Sequence, residues 1–280
     1  EKGEFFLGSL SHSASSSDQI TLAEAFCSLS RSFDHLEYLA NNQSIIFFEK
    51  ENPEDYEYTM LRWAVSRFAI LEPASLQELC FSIRERLSWR FYFELCATLA
   101  FSDVSDEVIG SWIAWIEHSG LPSDRLDTYS LLEIAEKTDS PEIVLAISRT
   151  LLKVDYDLKS GLLSGREPRA RIPIKDSYEK DLLIEALKPY IDEIGDRLVE
   201  YCIRQIEIGY LIRTGYGTRK RTFDGISYSR LSVASHEQDE FDDSAEGTLL
   251  DVARECMRED NYSRVKDICL KSRCGLIVRL

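Results

Sequence analysis

Amphipathic segments that begin on a capping residue and end in a short turn recur through most of this chain, and they leave few alternatives to a helical fold. Leu22, Ala25, Phe26, Leu29, Phe33, Leu36 and Leu39 repeat at helical spacing. Thr21 with Glu24 reads as the capping box that opens this segment, and Asn41-Asn42 closes it. Ser44 to Phe48 is an apolar run readable as a strand or an irregular turn. Tyr56 to Leu71 is helical again. Pro73 breaks the chain, and Ser75 with Glu78 restarts it. Leu76 to Leu87 and Trp89 to Phe101 follow, divided near Ser88, and Ser105 precedes Asp106 to His118. Gly120 and Pro122 mark a stop, Ser123 opens Leu126 to Lys137, and Ser140-Pro141-Glu142 starts a helix that runs to about Val154.

These helices are about 12 to 16 residues long and joined by short turns, so neighbours pack antiparallel. Their starts recur about every 15 to 20 residues, giving helix pairs of roughly 35 to 40. The expectation is an all-α fold of antiparallel helix pairs forming a HEAT- or armadillo-like α-solenoid, with an irregular helical bundle as the alternative. Residues 1–20, rich in serine from Ser9 onward, read as a linker and 21–158 as N-terminal repeats.

Lys159 to Lys175 changes character. Gly161, Gly165, Pro168 and Pro173 interrupt structure, and Arg166, Arg169, Arg171 and Lys175 add charge, which makes 159–175 the candidate boundary. Asp176 with Glu179 then opens a long segment to about Ile212, continuing the C-terminal repeats of 176–280. Leu187, Ile191, Ile194, Leu198, Cys202 and Ile206 form one stripe along it, and Pro189 ends or kinks a helix there. Helices resume at Ser244 to Arg258 and Tyr262 to Lys271, and another begins near Gly275.

Between those repeats lies a long insert, 213–243. Its first part, Arg213 to Gln238, holds Gly215, Gly217 and Gly225, the triplet Arg219-Lys220-Arg221, and the run Phe223 to Arg230. An acidic run, Asp239 to Asp243, follows. Loops of this length inside a helical domain are functional or disordered.

The formal net charge is -16. Phosphates are repelled by such a balance, so the surface as a whole is no nucleic-acid platform. The 7 cysteines are scattered among apolar neighbours without Cys-x-x-Cys spacing, and they read as reduced core residues of a cytoplasmic protein. No apolar run approaches the roughly 20 residues that span a bilayer. The chain lacks an initiator methionine and stops in the apolar run Gly275 to Leu280, which reads as an excerpt of a longer protein.

Catalytic patterns are missing from the sequence. There is no phosphate-binding Gly-x-x-x-x-Gly-Lys-Ser/Thr and no Gly-x-Ser-x-Gly elbow. Gly215-Tyr216-Gly217 follows a helix rather than a strand, unlike a dinucleotide fingerprint. His236-Glu237-x-x-Glu240 lacks the second histidine that a zinc site on one helical turn needs. No catalytic residue, cofactor or metal is therefore assigned. Arg213, Arg219, Lys220, Arg221 and Arg230 are the candidates for contact with a partner, and Arg230, His236 and Glu237 for a polar anchor that fastens the loop. Pairing of the basic triplet with Asp239 to Asp243 is the alternative.

Phe223 to Arg230, then Ser235-His236-Glu237-Gln238, then Leu249-Leu250-Asp251-Val252-Ala253-Arg254, together with Ser272 to Leu280, resembles the helical C-terminal region of bacterial STAND-type or sirtuin-associated antiviral defence proteins. The match covers the last quarter of the chain. It implies a non-enzymatic sensor or scaffold arm that contacts a phage protein or another protomer, with an effector and a nucleotide-binding module preceding residue 1. The alternatives from other classes are a hydrolase with its site at 213–238, and nucleic-acid binding through Arg166 to Lys175 and Arg219 to Arg221.

Overall fold

Serine caps decide where the first helices begin. In the computed structural model, which describes residues 15–41, 44–118, 126–156, 170–174, 176–216, 245–257 and 262–271, helix α1 spans Ser16–Leu29. The Ser15 hydroxyl accepts the Asp18 amide at 3.2 Å and donates to the Asp18 carboxylate at 2.7 Å. The helix thus starts ahead of Thr21, whose hydroxyl donates to the Ser17 carbonyl at 3.0 Å from inside it. The linker reading of 16–20 is corrected accordingly. A serine-rich stretch lacks apolar periodicity, but its exposed residues need none once the first turn is capped.

The first amphipathic pattern is also two helices rather than one. The Ser32 hydroxyl accepts the Asp34 amide at 3.2 Å and opens α2, Phe33–Asn41, after a break at 30–32. Ser44–Phe48 is a single 3-10 segment, with Phe47 and Phe48 buried. Helix α3 is Asp55–Leu71 and α4 is Pro73–Ser82, with its proline in the first turn. Helix α5, Trp89–Phe101, is capped by the Ser88 hydroxyl accepting from the Phe91 amide at 3.4 Å. Helix α6 is Asp106–His118, α7 is Thr128–Lys137 and α8 is Pro141–Leu151.

The strands among the described residues form a single two-residue antiparallel ladder. It pairs β1, Asp155–Tyr156, with β2, Ala170–Arg171, Asp155 opposite Arg171. Helix α9, Ser177–Leu187, is capped by Asp176, whose carboxylate accepts the Glu179 amide at 2.9 Å. Pro189 then sits in a 3-10 turn, Lys188–Tyr190, before the longest helix, α10, Ile191–Tyr216. Helices α11, Ala245–Glu255, and α12, Tyr262–Lys271, complete the all-α fold.

The chain divides into two units by contact density. The first comprises 1–120 and 125–131; the second comprises 121–124 and 132–280, so the division falls inside α7. Of the expected boundary at 159–175, only 170–174 are among the described residues, and they belong to the second unit.

Within the first unit, alternate helices run the same way. Phe26 of α1 meets Trp63 of α3 edge-on at 5.4 Å, and Arg67, farther along α3, donates to the Arg31 carbonyl beyond the end of α1 at 3.0 Å. Arg90 of α5 lies over the Tyr58 ring of α3 at 6.0 Å, and Glu94, one turn farther along α5, meets Arg62, one turn farther along α3. Gln77 of α4 donates to Ser111 of α6 at 2.8 Å, and Phe81 shares a cleft with Trp115 and His118 farther along both helices. Helices α1, α3 and α5 are thus co-directional, as are α4 and α6. That is the direction pattern of stacked helical hairpins. The core is aromatic: Trp63 meets Phe68 at 5.4 Å, Phe48 meets Phe91 at 5.3 Å, and Tyr92 stacks on Trp115 at 6.0 Å.

The second unit has an aliphatic core. The stripe Leu187, Ile191, Ile194, Leu198, Cys202 and Ile206 is buried throughout, beside Leu249, Leu250 and Val252 of α11. A fully buried Leu or Ile side chain is stabilised by about 1.5–3 kcal/mol, so this stripe supplies much of the reason for α10 to be a helix at all. Helices α8 and α10 also run the same way. Glu142 meets Arg197, the Arg149 carbonyl accepts from the Tyr201 hydroxyl at 2.8 Å, and the Val154 amide donates to Gln205 at 3.2 Å.

Candidate interaction surfaces

The residues singled out by sequence lie almost wholly outside the described part. Arg213 is in the last turns of α10, without a described side chain. Arg219, Lys220, Arg221, Arg230, His236 and Glu237 fall outside the described residues, as do Arg166, Arg169 and Lys175. Arg171 is exposed on β2. The surfaces that can be built from described side chains are in the first unit.

The two ends of the α1, α3, α5 layer differ in character. At the amino-terminal end, charged groups are neutralised locally. Glu57 is buried and takes a hydrogen bond from the Lys50 ammonium, and its other oxygen accepts the Glu54 amide at 2.8 Å. That bond to Glu57 holds the Lys50 ammonium above the ordinary lysine value. Glu94, also buried, accepts from the Tyr58 hydroxyl and lies 3.7 Å from Arg62. Desolvation first, and the Glu94 bond second, push the Tyr58 phenol up. Arg90 lies over the Trp89 ring at 4.0 Å.

At the carboxy-terminal end the same three helices finish on Leu29, Leu71 and Phe101, which are 79%, 62% and 62% exposed. A single exposed apolar residue is ordinary. Here all three stand at like ends of co-directional helices of the first unit.

A second surface lies between the carboxy-terminal halves of α4 and α6. It is a cleft of about 380 Å³ lined by Phe81, Arg84, Trp115 and His118. Its lining comes as two pairs spaced by three residues, which puts each pair on one face of its helix or the turn that follows. The Arg84 guanidinium sits over the Phe81 ring at 4.5 Å. Trp115 is half-buried and fixed by Tyr92, stacked at 6.0 Å, and by Trp112, edge-on at 5.5 Å. The His118 Nδ1 lies 2.7 Å from the Ala114 carbonyl. A carbonyl only accepts, so this nitrogen carries the proton and Nε2 is the acceptor in the neutral ring.

Cys80, next to Phe81, is fully buried, and desolvation pushes its thiol well above the ordinary range. Cys96 and Cys202 are pushed up in the same way, and the half-buried Cys27 reaches about 12. Among the described residues no group of three or more His, Cys, Asp or Glu is placed to hold a metal ion. No described helix is long and apolar enough to cross a membrane.

Sequence reasoning missed this cleft because α4 and α6 meet only in the folded chain. The available signal was the pair of aromatic–cation spacings, Phe81 with Arg84 and Trp115 with His118. No family model, curated protein or solved structure matches this chain.

Proposed function

We propose that this chain is a non-catalytic helical module that binds a protein partner, acting as the sensor or scaffold arm of a larger bacterial antiviral defence protein. The observation that carries the binding reading is the exposure of Leu29, Leu71 and Phe101, which close like ends of α1, α3 and α5. Ends of this kind are covered by another protein surface, because leaving them in water costs about 25 cal/mol for each Å² exposed. The defence context comes from the resemblance of Phe223 to Arg254. The partner is a phage protein or another protomer.

The test compares the wild-type chain with a Leu71→Glu/Phe101→Glu variant, both side chains being exposed and replaceable without disturbing the core. Chemical cross-linking in phage-infected bacteria, read by mass spectrometry, identifies what lies against residues 29, 71 and 101. Sedimentation of the purified chain detects self-association. The expected result is one defined partner, or a dimer, that the double variant loses while its helical circular dichroism is unchanged. Equal capture by both forms, or no specific partner for either, removes the reading.

A further inference from the structure

We infer that the cleft between α4 and α6 takes a short acidic peptide carrying an aromatic side chain, presented by the protein partner. This rests on the reading of the chain as a protein-binding module and names the chemistry that one of its surfaces recognises.

Size is the first argument. A cleft of about 380 Å³ is at the lower end of ligand-binding sites, suited to one large side chain with its flanking backbone rather than to a helix or a folded domain. Rigidity is the second. Trp115 packs against Tyr92, stacked, and against Trp112, edge-on. The Gln77 to Ser111 bond at 2.8 Å keeps α4 and α6 in register beside the cleft. Phe81, 60% exposed, presents a second ring. An incoming aromatic side chain therefore meets two preset rings and loses little freedom in the host.

Charge selects the rest of the ligand. On neighbouring elements Arg62 faces Glu94 at 3.7 Å and Arg86 faces Glu49 at 3.2 Å. Arg84 has no such carboxylate among the described residues; it is held over Phe81. Its stacking on Phe81 orients the planar fork for a bidentate carboxylate. His118, with Nδ1 occupied by Ala114, offers Nε2 to a peptide N–H. Arg84 is the sole permanent cation among these four lining residues. That is enough for one carboxylate and too little for a nucleotide polyphosphate in a chain of net charge -16.

The experiment measures fluorescence anisotropy of labelled, C-terminally amidated Gly-Ser-Phe-Asp-Ser titrated with the whole chain. The comparison peptides are Gly-Ser-Phe-Lys-Ser and Gly-Ser-Ala-Asp-Ser, and unlabelled adenosine monophosphate serves as a competitor. Binding of the acidic aromatic peptide alone is expected. Phe81→Ala or Arg84→Glu should each weaken it by at least about tenfold without moving the melting temperature, since both side chains are exposed. Tyr178→Ser, at an exposed position of the second unit, should leave it unchanged. No binding, equal binding of the lysine peptide, displacement by the nucleotide at equal concentration, or full binding by the Arg84→Glu variant each overturns the proposal. Partner capture that survives Arg84→Glu but not Leu71→Glu/Phe101→Glu overturns the cleft assignment alone. Capture that survives both sets of changes overturns the module reading as well.

Discussion

The Trp112 indole N–H donates to the Ala69 carbonyl at 2.9 Å, with both residues fully buried. Helix α3 ends shortly after Ala69, at Leu71, so this carbonyl is among the last four of its helix and has no partner within it. The indole satisfies it from α6 and ties the two helices together by a bond that no side chain without an N–H at that position can make.

Trp112→Phe keeps an aromatic ring but orphans the Ala69 carbonyl. It should destabilise the chain by about 1–3 kcal/mol. Trp112→Ala adds a cavity and should cost about 3–5 kcal/mol. Urea unfolding followed by circular dichroism measures both. No loss for Trp112→Phe would mean that the hydrogen bond contributes nothing beyond the ring.

Lys50 and Glu57 set a stability limit at alkaline pH. The folded lysine value is raised above its ordinary 10.5, chiefly by the hydrogen bond to Glu57. A raised cationic value means stability that is fully present below the unfolded lysine value and disappears as pH rises through the folded one. The side chain of Lys50 is 36% exposed, so solvent screens part of the effect. Unfolding free energies from pH 9 to about 12 should fall more steeply for wild type than for Lys50→Met. Parallel curves would dissociate the pair from alkaline stability.

Glu142 and Arg197 act at the opposite end of the scale. Two guanidinium nitrogens of Arg197 reach the Glu142 carboxylate at 2.6 and 3.1 Å, and this bond holds its carboxyl below the ordinary 4.5. A depressed acidic value gives stability present above the unfolded value and lost as pH falls through the folded one. The pair is exposed, so its share is below about 1 kcal/mol. Arg197→Gln should narrow its gap to wild type as pH drops below the ordinary carboxylate range, measured by thermal melts in steps of pH.

Thiol chemistry should report burial. Cys80, Cys96 and Cys202 are fully buried with thiols pushed up, and the thiolate is the reactive form. Iodoacetamide labelling at pH 8, mapped by mass spectrometry, should spare these three in the folded chain and modify them within minutes in denaturant. Rapid native labelling of Cys80 would show that the α4 end opens.

How far the sequence led depends on how sharply each helix is punctuated. Trp89–Phe101, Asp106–His118 and Tyr262–Lys271 have the bounds that periodicity predicts, and Ser88 caps the first of these through its hydroxyl. The stripe from Leu187 to Ile206 is buried at every position named for it. Where punctuation is ambiguous, sequence and structure differ. Thr21 has the pattern of a capping residue, yet Ser15 with Asp18 makes the bond, and the apolar pattern runs on across the break at 30–32 because Phe33 keeps the phase. The cleft was invisible for another reason. Phe81 and Trp115 come together only when α4 and α6 pack, and no single-segment pattern encodes that meeting.

The contrast between the two cores turns the chain into its own spectroscopic instrument. All 4 tryptophans, Trp63, Trp89, Trp112 and Trp115, belong to the first unit, while the second is packed with aliphatic side chains. Intrinsic tryptophan emission therefore records the melting of one half of the molecule and is nearly blind to the other, whereas the helical ellipticity sums both. Superimposable transitions from the two signals would mean that the halves melt as one cooperative body; a gap between them would time the loss of each separately, with no label added.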